Sequence, residues 1–298
     1  MTRMSRRPPS RPSALACPDS LKGVLDSGAA AAAIARGFRS VGVMCDELPL
    51  ADGGEGTRAV LAEFDDGRRR VVEAAEAIPF DPRRIDVTTS SRPLGDLIAR
   101  LDAEELIVCL GGTANMDAGQ GLLEVLDALP APTTVLCDVQ TTLYDAPREF
   151  GPQKGATPGQ VQELEARFRA VDELAPYADL PGSGAAGGLG AAFAYLGAKL
   201  VAGSAFVLDH VAFRPERYDV VVTGEGRVDG TTRAGKVAAE VARRCAEAGT
   251  SCVVFGGVVS EPLPDVETVA LSGDRGRAGE DLVDLGRRLG TRLLDAAC

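Results

Sequence analysis

Short runs of β-branched and other apolar residues alternate along the chain with segments whose apolar positions recur every three and four residues. The first pattern predicts strands at 14–17, 45–50, 105–110, 134–139, 218–223 and 252–259. The second predicts helices at 26–39, 160–174, 236–248 and 279–294, with Thr157-Pro158 as a cap for one of them. Strands that alternate with helices imply parallel strands joined by helical crossovers, so the expected fold class is α/β. The rhythm weakens over 57–95, where Arg68-Arg69-Arg70 and Pro79-Phe80-Asp81-Pro82 interrupt it. Strand-rich sequence on both sides of that stretch predicts a discontinuous main domain, 14–56 and much of 96–298. A second domain, 57–95 plus a central part, is then inserted into it. Residues 1–13 carry four arginines among three prolines with no apolar run behind them, which predicts a disordered tail rather than a secretory signal.

Composition narrows the function classes. The 298 residues hold 32 Lys plus Arg against 43 Asp plus Glu, a formal charge of −11, and only 4% are aromatic. A chain short of cations and of stacking rings is a poor partner for nucleic acid. The longest apolar run, the alanine-rich stretch 29–35, is far below the roughly 18 residues of a membrane span. Seven cysteines without a Cys-x-x-Cys pair predict reduced, mostly buried thiols and a cytoplasmic location. A single histidine, His210, leaves neither a zinc site of the usual kind nor a choice of Ser-His-Asp triads, so acid–base work falls to carboxylates and lysines.

The predicted strands end in polar or glycine-rich tips: Pro18-Asp19-Ser20, Asp52-Gly53-Gly54-Glu55-Gly56, Gly111-Gly112-Thr113, Asp138, Gly224-Glu225-Gly226 and Gly256-Gly257. Ligands of open parallel sheets bind outside the carboxyl ends of the strands, so these tips are expected to serve one cleft. Lys22, in Asp19-Ser20-Leu21-Lys22-Gly23, suits a substrate carboxylate or phosphate, while Asp19 and Ser20 alternatively suit a helix N-cap. The glycines beside Asp52 and Glu55 let backbone approach a ligand, or simply make a turn. Glu225 and Asp229 flank Arg227 after an apolar strand, either as a plain turn or as a metal site; Mg²⁺ keeps several waters, so one or two such carboxylates suffice to hold it. Asp138 is a candidate general base for a substrate hydroxyl, or a capped strand end.

Two glycine-rich loops match motifs in part. Gly182-Ser183-Gly184-Ala185-Ala186-Gly187 fits the dinucleotide pattern G-x-G-x-x-G, but no strand is predicted before it. It remains suited to an anion at a helix start through Gly184 and Gly187, or to a tight turn into a closely packed Gly/Ala helix. Gly230-Thr231-Thr232-Arg233-Ala234-Gly235-Lys236 follows the phosphate-loop pattern until Val237 replaces the hydroxyl that holds Mg²⁺. Lys236 then either meets phosphate or stands exposed at a helix start. Lys154, in Gly151-Pro152-Gln153-Lys154-Gly155, is a second candidate phosphate cation or part of a solvated turn.

Seven blocks in consistent order resemble the two-domain bacterial glycerate kinases that begin with a Pro-Asp-Ser-x-Lys-Gly motif. They are Pro18 to Gly23, Leu50 to Thr57, Gly111-Gly112-Thr113-Ala114 with Asp117, Cys137-Asp138-Val139, Phe150 to Ala156, Leu180 to Gly190, and Thr223 to Asp229 with Gly235-Lys236. The resemblance implies a flavodoxin-like domain, a second domain of restriction-enzyme-like fold, and ATP-dependent phosphorylation of glycerate or a related small hydroxy acid, with Mg²⁺. It groups Lys22, Asp52 and Glu55 at one end of the reacting pair and Glu225, Asp229 and Lys236 at the other. The family's Ser-Ala-Thr-Asn-Asp reads here as Thr113-Ala114-Asn115-Met116-Asp117, so Met116 replaces an amide that could bind ligand, and Thr141 and Thr142 replace an asparagine and a proline. These departures, with shortened stretches between Thr57 and Gly111 and between Gly121 and Asp138, raise a second expectation: a catalytically impaired paralogue that binds a small ligand or regulates. A nicotinamide oxidoreductase, resting on the Gly182 loop alone, is the third.

Overall fold

The computed structural model describes residues 11–84, 86–230, 232 and 235–297. Among them run nine strands: β1 (Ser13–Ala16), β2 (Met44–Glu47), β3 (Arg69–Glu73), β4 (Glu105–Cys109), β5 (Thr133–Cys137), β6 (Lys199–Ala202), β7 (Val220–Val228), β8 (Ser251–Val259) and β9 (Glu267–Ala270). All neighbouring strands pair in parallel. The chain divides into two compact units. The first takes the described residues up to Pro49, Arg214–Thr232, and those from Ala238 onward; the second takes Leu50–Phe213 with Arg233–Val237. The inserted unit thus contains 57–95 and the whole central chain to Phe213. Most of the tail expected over 1–13 lies outside the described residues, and Ser13 already belongs to β1.

The first unit is a five-stranded sheet in the order β2-β1-β7-β8-β9. Counted within the unit this is 2-1-3-4-5, the flavodoxin-like winding. Its central strands β1, β7 and β8 have apolar inner stretches because helices cover both faces. Ala14, Ala16, Val220, Val222, Val253 and Phe255 share one core with Ile34 and Phe38 of the helix Ser27–Ser40 and Leu282, Leu285 and Leu289 of the helix Ala278–Ala297. These two helices touch through glycines: a Cβ on Gly37 would strike the Val283 carbonyl, and one on Gly286 the Ile34 carbonyl. On the opposite face Val228 and Val254 meet Ala238 of the helix Val237–Ala248. Burying a side chain such as Phe38, fully enclosed here, stabilises a fold by about 2 kcal/mol.

The second unit holds the sheet β3-β4-β5-β6, with strands in chain order. Val72, Leu106, Val108 and Val135 pack against Leu94 and Ile98 of the helix Arg92–Ile98 and against Leu189 and Phe193. The helix expected over 160–174 stops at Arg169; a separate 3-10 turn, Asp172–Tyr177, holds Pro176. Thr157 and Gln160 form a reciprocal capping box at its start. The stretch Ala185–Tyr195 opens with three left-handed residues, Ala186 (φ +52°), Gly187 (φ +62°) and Gly188 (φ +94°), before turning regular. The six strands read from the sequence are all present. The pattern misses β3, β6 and β9, which are all edge strands; an edge strand tolerates charge, so Arg69, Lys199 and Glu267 mask the apolar run. No helix among the described residues is long and apolar enough to cross a membrane.

Candidate active site

In the first unit, the winding reverses between β1 and β7, the place where an open parallel sheet sets its ligand crevice, at the carboxyl ends of the strands. The ladder continues past β1, with Cys17 N donating to Val222 O (2.8 Å) and Asp19 N to Gly224 O (3.0 Å), which sets Asp19 alongside the Gly224-Glu225 segment. Asp19 is 7% exposed and Glu225 8%, so the crevice carries two buried carboxylates. Leu21 and Leu25 exchange backbone hydrogen bonds around Gly23 (φ +70°), presenting Lys22 to solvent at the loop tip. Asp19 and Ser20 are not helix caps. That role belongs to Asp26, whose Oδ1 accepts from Ala29 N at 2.7 Å.

The motif after the expected strand 218–223 is not a turn. Strand β7 runs through it, Glu225 pairing with Gly256 and Arg227 with Val258. Residues two apart on a strand share a face, so the buried Glu225 and the exposed Arg227 point the same way. Gly224 is there for packing, since a Cβ would strike the Phe255 carbonyl of β8. Asp229 follows the strand, half-buried in a turn where its N–H donates to Thr232 Oγ1 (3.1 Å) and Thr232 N to Asp229 O (3.0 Å). Thr231, Arg233 and Ala234 of the phosphate-loop-like segment lie outside the described residues. The donor chemistry fits Mg²⁺: Asp19 and Glu225 supply the one or two carboxylates such an ion needs when phosphates and water complete its shell. No group of three or more His, Cys, Asp or Glu among the described residues could hold a metal by itself.

The second unit gathers another set at the tips of β4 and β5. Gly111 N donates to Gly53 O at 3.1 Å, docking the 50–57 loop on the end of β4. A Cβ on Gly111 would come within 2.6 Å of Gly54 Cα and 3.0 Å of Asp138 Oδ2, so glycine at 111 is what lets the Asp138 carboxylate and the loop meet. Asp52, 3% exposed, lies in the same cluster, its Oδ2 ion-paired with Lys236 Nζ at 3.3 Å. Lys236 is therefore paired with Asp52 and is not a free helix-start lysine. The exposed Glu55 side chain lies across Gly112, where a Cβ would meet its Cγ at 3.2 Å.

Several expected ligand contacts turn out to be internal. Gly53 N donates to Thr57 Oγ1 and Gly54 N to Asp52 Oδ1, both at 3.2 Å, so these amides hold their own loop together instead of waiting for an anion. Gly184 and Gly187 are packing glycines: a Cβ would strike the Thr142 carbonyl from the first and the Asn115 carbonyl from the second. No strand precedes the Gly182 loop, which removes the structural context of a dinucleotide fingerprint. Asp117 accepts from Ser91 N, Ser91 Oγ and Gly121 N on one oxygen and from Asn115 Nδ2 and Gly119 N on the other, so it fastens the loop after β4. Met116 is fully buried among Leu143, Leu164 and Phe168, in core and not in a pocket.

Lys154 is neither solvated nor at the surface. At 5% exposure its Nζ donates to the Asn115 carbonyl at 2.9 Å, and burial pulls its pKa down to about 8 against the opposing pull of Asp138 and then Asp117. Asn115 is the residue that sequence reasoning passed over. Fully buried, it donates from Nδ2 to Asp117 Oδ1 (3.1 Å) and Ala186 O (2.8 Å), two acceptors that fix the amide's orientation, and its Oδ1 has no donor. Its signal was an amide two residues before Asp117 in a loop that follows a strand. Four of the cysteines are poor nucleophiles: burial raises Cys17 and Cys109 well above the ordinary thiol range and Cys45 and Cys137 to about 12.

Known proteins repeat this architecture. The model of the glycerate kinase family matches residues 14–79 and 129–273. The glycerate kinase of Bacillus subtilis (strain 168) is 33% identical over 82% of this chain and 84% of its own. The glycerate 2-kinase of Escherichia coli (strain K12) is 31% identical over 76% and 80%. A solved glycerate kinase 2 structure from Salmonella typhimurium LT2 superposes with a TM-score of 0.73 at 27% identity, covering 96% of this chain and 99% of that one. Sheet order, motif order and similarity over most of the chain agree: this chain belongs to the glycerate kinase family.

Proposed function

We propose that the protein transfers the γ-phosphoryl group of ATP to a hydroxyl of glycerate or a closely related small hydroxy acid. Phosphoryl transfer asks a protein for positioning and charge neutralisation more than for covalent chemistry, and this chain carries carboxylates and lysines at its strand tips. The observation that carries the reading is the cluster of Asp138, Asp52, Lys236 and Lys154 at the tips of β4 and β5, in a member of this family. In it Asp138 takes the proton of the acceptor hydroxyl as that oxygen bonds to the γ-phosphorus and the bond to the bridging oxygen of ATP breaks, giving ADP and the phosphorylated acid. In the first unit, Lys22 and Arg227 supply exposed cations for the nucleotide's phosphates. Glu225, with Asp19 or Asp229, would hold Mg²⁺, which when bound neutralises phosphate oxygens.

The impaired-paralogue reading loses one support here, because Met116 lies in the apolar core and marks no missing ligand contact. An assay that couples ADP release to NADH oxidation, with D-glycerate and Mg²⁺-ATP, tests the proposal. Turnover abolished by Asp138→Asn and weakened by Lys22→Ala is expected. Thermal stabilisation by glycerate without ADP release would support a binding paralogue, since a ligand that binds only the folded state raises its stability.

A further inference from the structure

The first unit carries a depression of about 430 Å³, a volume in the range of small-molecule clefts, to which the reaction proposed above assigns nothing. Val24, Leu25, Arg36, Arg275, Gly279 and Val283 line it. Val24 and Leu25 belong to the loop after β1, just beyond Lys22, and Arg275 to the loop after β9. Both loops leave the carboxyl ends of their strands, the side on which an open parallel sheet takes its ligand. The Arg275 guanidinium donates to the Gly23 carbonyl at 2.9 Å, so the depression and the loop of Lys22 are bonded to each other. Gly279 lies in the first turn of the helix Ala278–Ala297, and a Cβ there would meet nothing within 4 Å, so open space stands against its backbone.

Charge and apolar surface together define the ligand. Lys22, Arg36 and Arg275 are exposed, and none of them forms an ion pair with a carboxylate among the described residues. The neighbouring acids are engaged: Glu280 with Arg277 at 3.4 Å, Asp274 with Gly276 N at 2.9 Å and Asp281 with Ser272 N at 3.0 Å. Three unpaired cations in a chain of net charge −11 favour an anion. Val24, Leu25 and Val283, all half-buried, add an apolar wall that inorganic phosphate could not use and a flat base could. A guanidinium serves both halves of such a molecule, stacking on a ring and bonding to a phosphate.

We propose that this depression takes the adenosine end of ATP, with the base against Val24, Leu25 and Val283, Arg36 and Arg275 at the ring and the α-phosphate, and the remaining phosphates directed along the loop to Lys22. The inference rests on the reading of ATP as the phosphoryl donor. Calorimetry on the full chain, with ADP and with inorganic triphosphate, tests it without turnover. Gly279→Leu fills the depression at a position whose Cβ is unobstructed. It should weaken ADP binding about 10-fold and leave inorganic triphosphate within about 2-fold of wild type. Arg36→Glu, a charge reversal at an exposed site, should raise the KM for ATP about 10-fold while the KM for D-glycerate changes by less than about 2-fold. Wild-type protein that does not bind ADP overturns the proposal. So does Gly279→Leu protein that binds ADP as wild type does, or that loses triphosphate as much as ADP, or an unchanged KM for ATP in Arg36→Glu. The parent reading fails separately, when ADP binds as expected yet ATP and D-glycerate give no turnover.

Discussion

The two sheets place their functional groups by different means. In the first unit the order β2-β1-β7-β8-β9 contains a reversal, and the crevice at β1 and β7 is a consequence of topology. Its buried acids sit on the ladder or one step beyond it: Glu225 is a residue of β7, and Asp19 donates its N–H to Gly224. In the second unit β3-β4-β5-β6 run in chain order, every crossover moves the same way, and no crevice is forced. Its acids are held by loops, and the loops by glycines and ion pairs: Gly111 against Gly54, Gly203 against the Asp52 carbonyl, Lys236 against Asp52. Chemistry built on a ladder can be altered at the side chain with little cost to the fold. Chemistry built on docked loops shares its residues with the fold.

Glu225→Gln sharpens this contrast most. The amide has the carboxylate's shape without its charge, so kcat should fall by about 1000-fold while the stability measured in urea stays within about 0.5 kcal/mol of wild type. A large loss of stability would show that Glu225 is part of the scaffold, and the distinction between the units would collapse. Lys236→Met probes the other side. It leaves Asp52, with its side chain 4% exposed, holding only the Gly54 amide, and because Lys236 keeps 21% exposure the loss should be about 2 kcal/mol, below that of a fully buried pair. Urea unfolding that matches wild type would mean that the 50–57 loop is docked by its glycines alone.

What could be read from the sequence follows the same division. The β1, β7 and β8 runs announce themselves because central parallel strands are apolar on both faces, and the acids after them follow from the rule for open sheets. Even so, the apolar pattern ends the run 218–223 at its first glycine, whereas the backbone continues as strand through Gly224 and Gly226. Glycine is a turn signal only where no neighbouring strand fills the space of its missing Cβ; here Phe255 does. In the second unit the motifs were visible and their jobs were not. Gly53, Gly54, Gly184 and Gly187 look like an anion's cradle, yet the amides of the first two hold their own loop and the other two press against the Thr142 and Asn115 carbonyls. Asp117 looks like a ligand-binding acid until its five donors are counted. Lys154 and Asn115 are informative only through burial, which no local pattern encodes.

Asp19 and Asp26 give the smallest and cleanest test. Both lie between β1 and the helix Ser27–Ser40, seven residues apart, and Asp is favoured at helix N-caps. Only Asp26 caps: its backbone is extended at φ −69° and ψ 164°, and Oδ1 accepts from Ala29 N. Asp19 instead sits three residues past β1, and its Oδ1 accepts from Ser20 N at 2.6 Å. Asp26→Ala should therefore cost about 1 kcal/mol of stability in urea and leave kcat/KM unchanged. Asp19→Asn should lower kcat/KM by about 10-fold and leave the unfolding midpoint where it was. If the two effects were exchanged, Asp19 would be holding the helix, and of the two buried acids at the ends of β1 and β7 only Glu225 would be left to hold a metal ion.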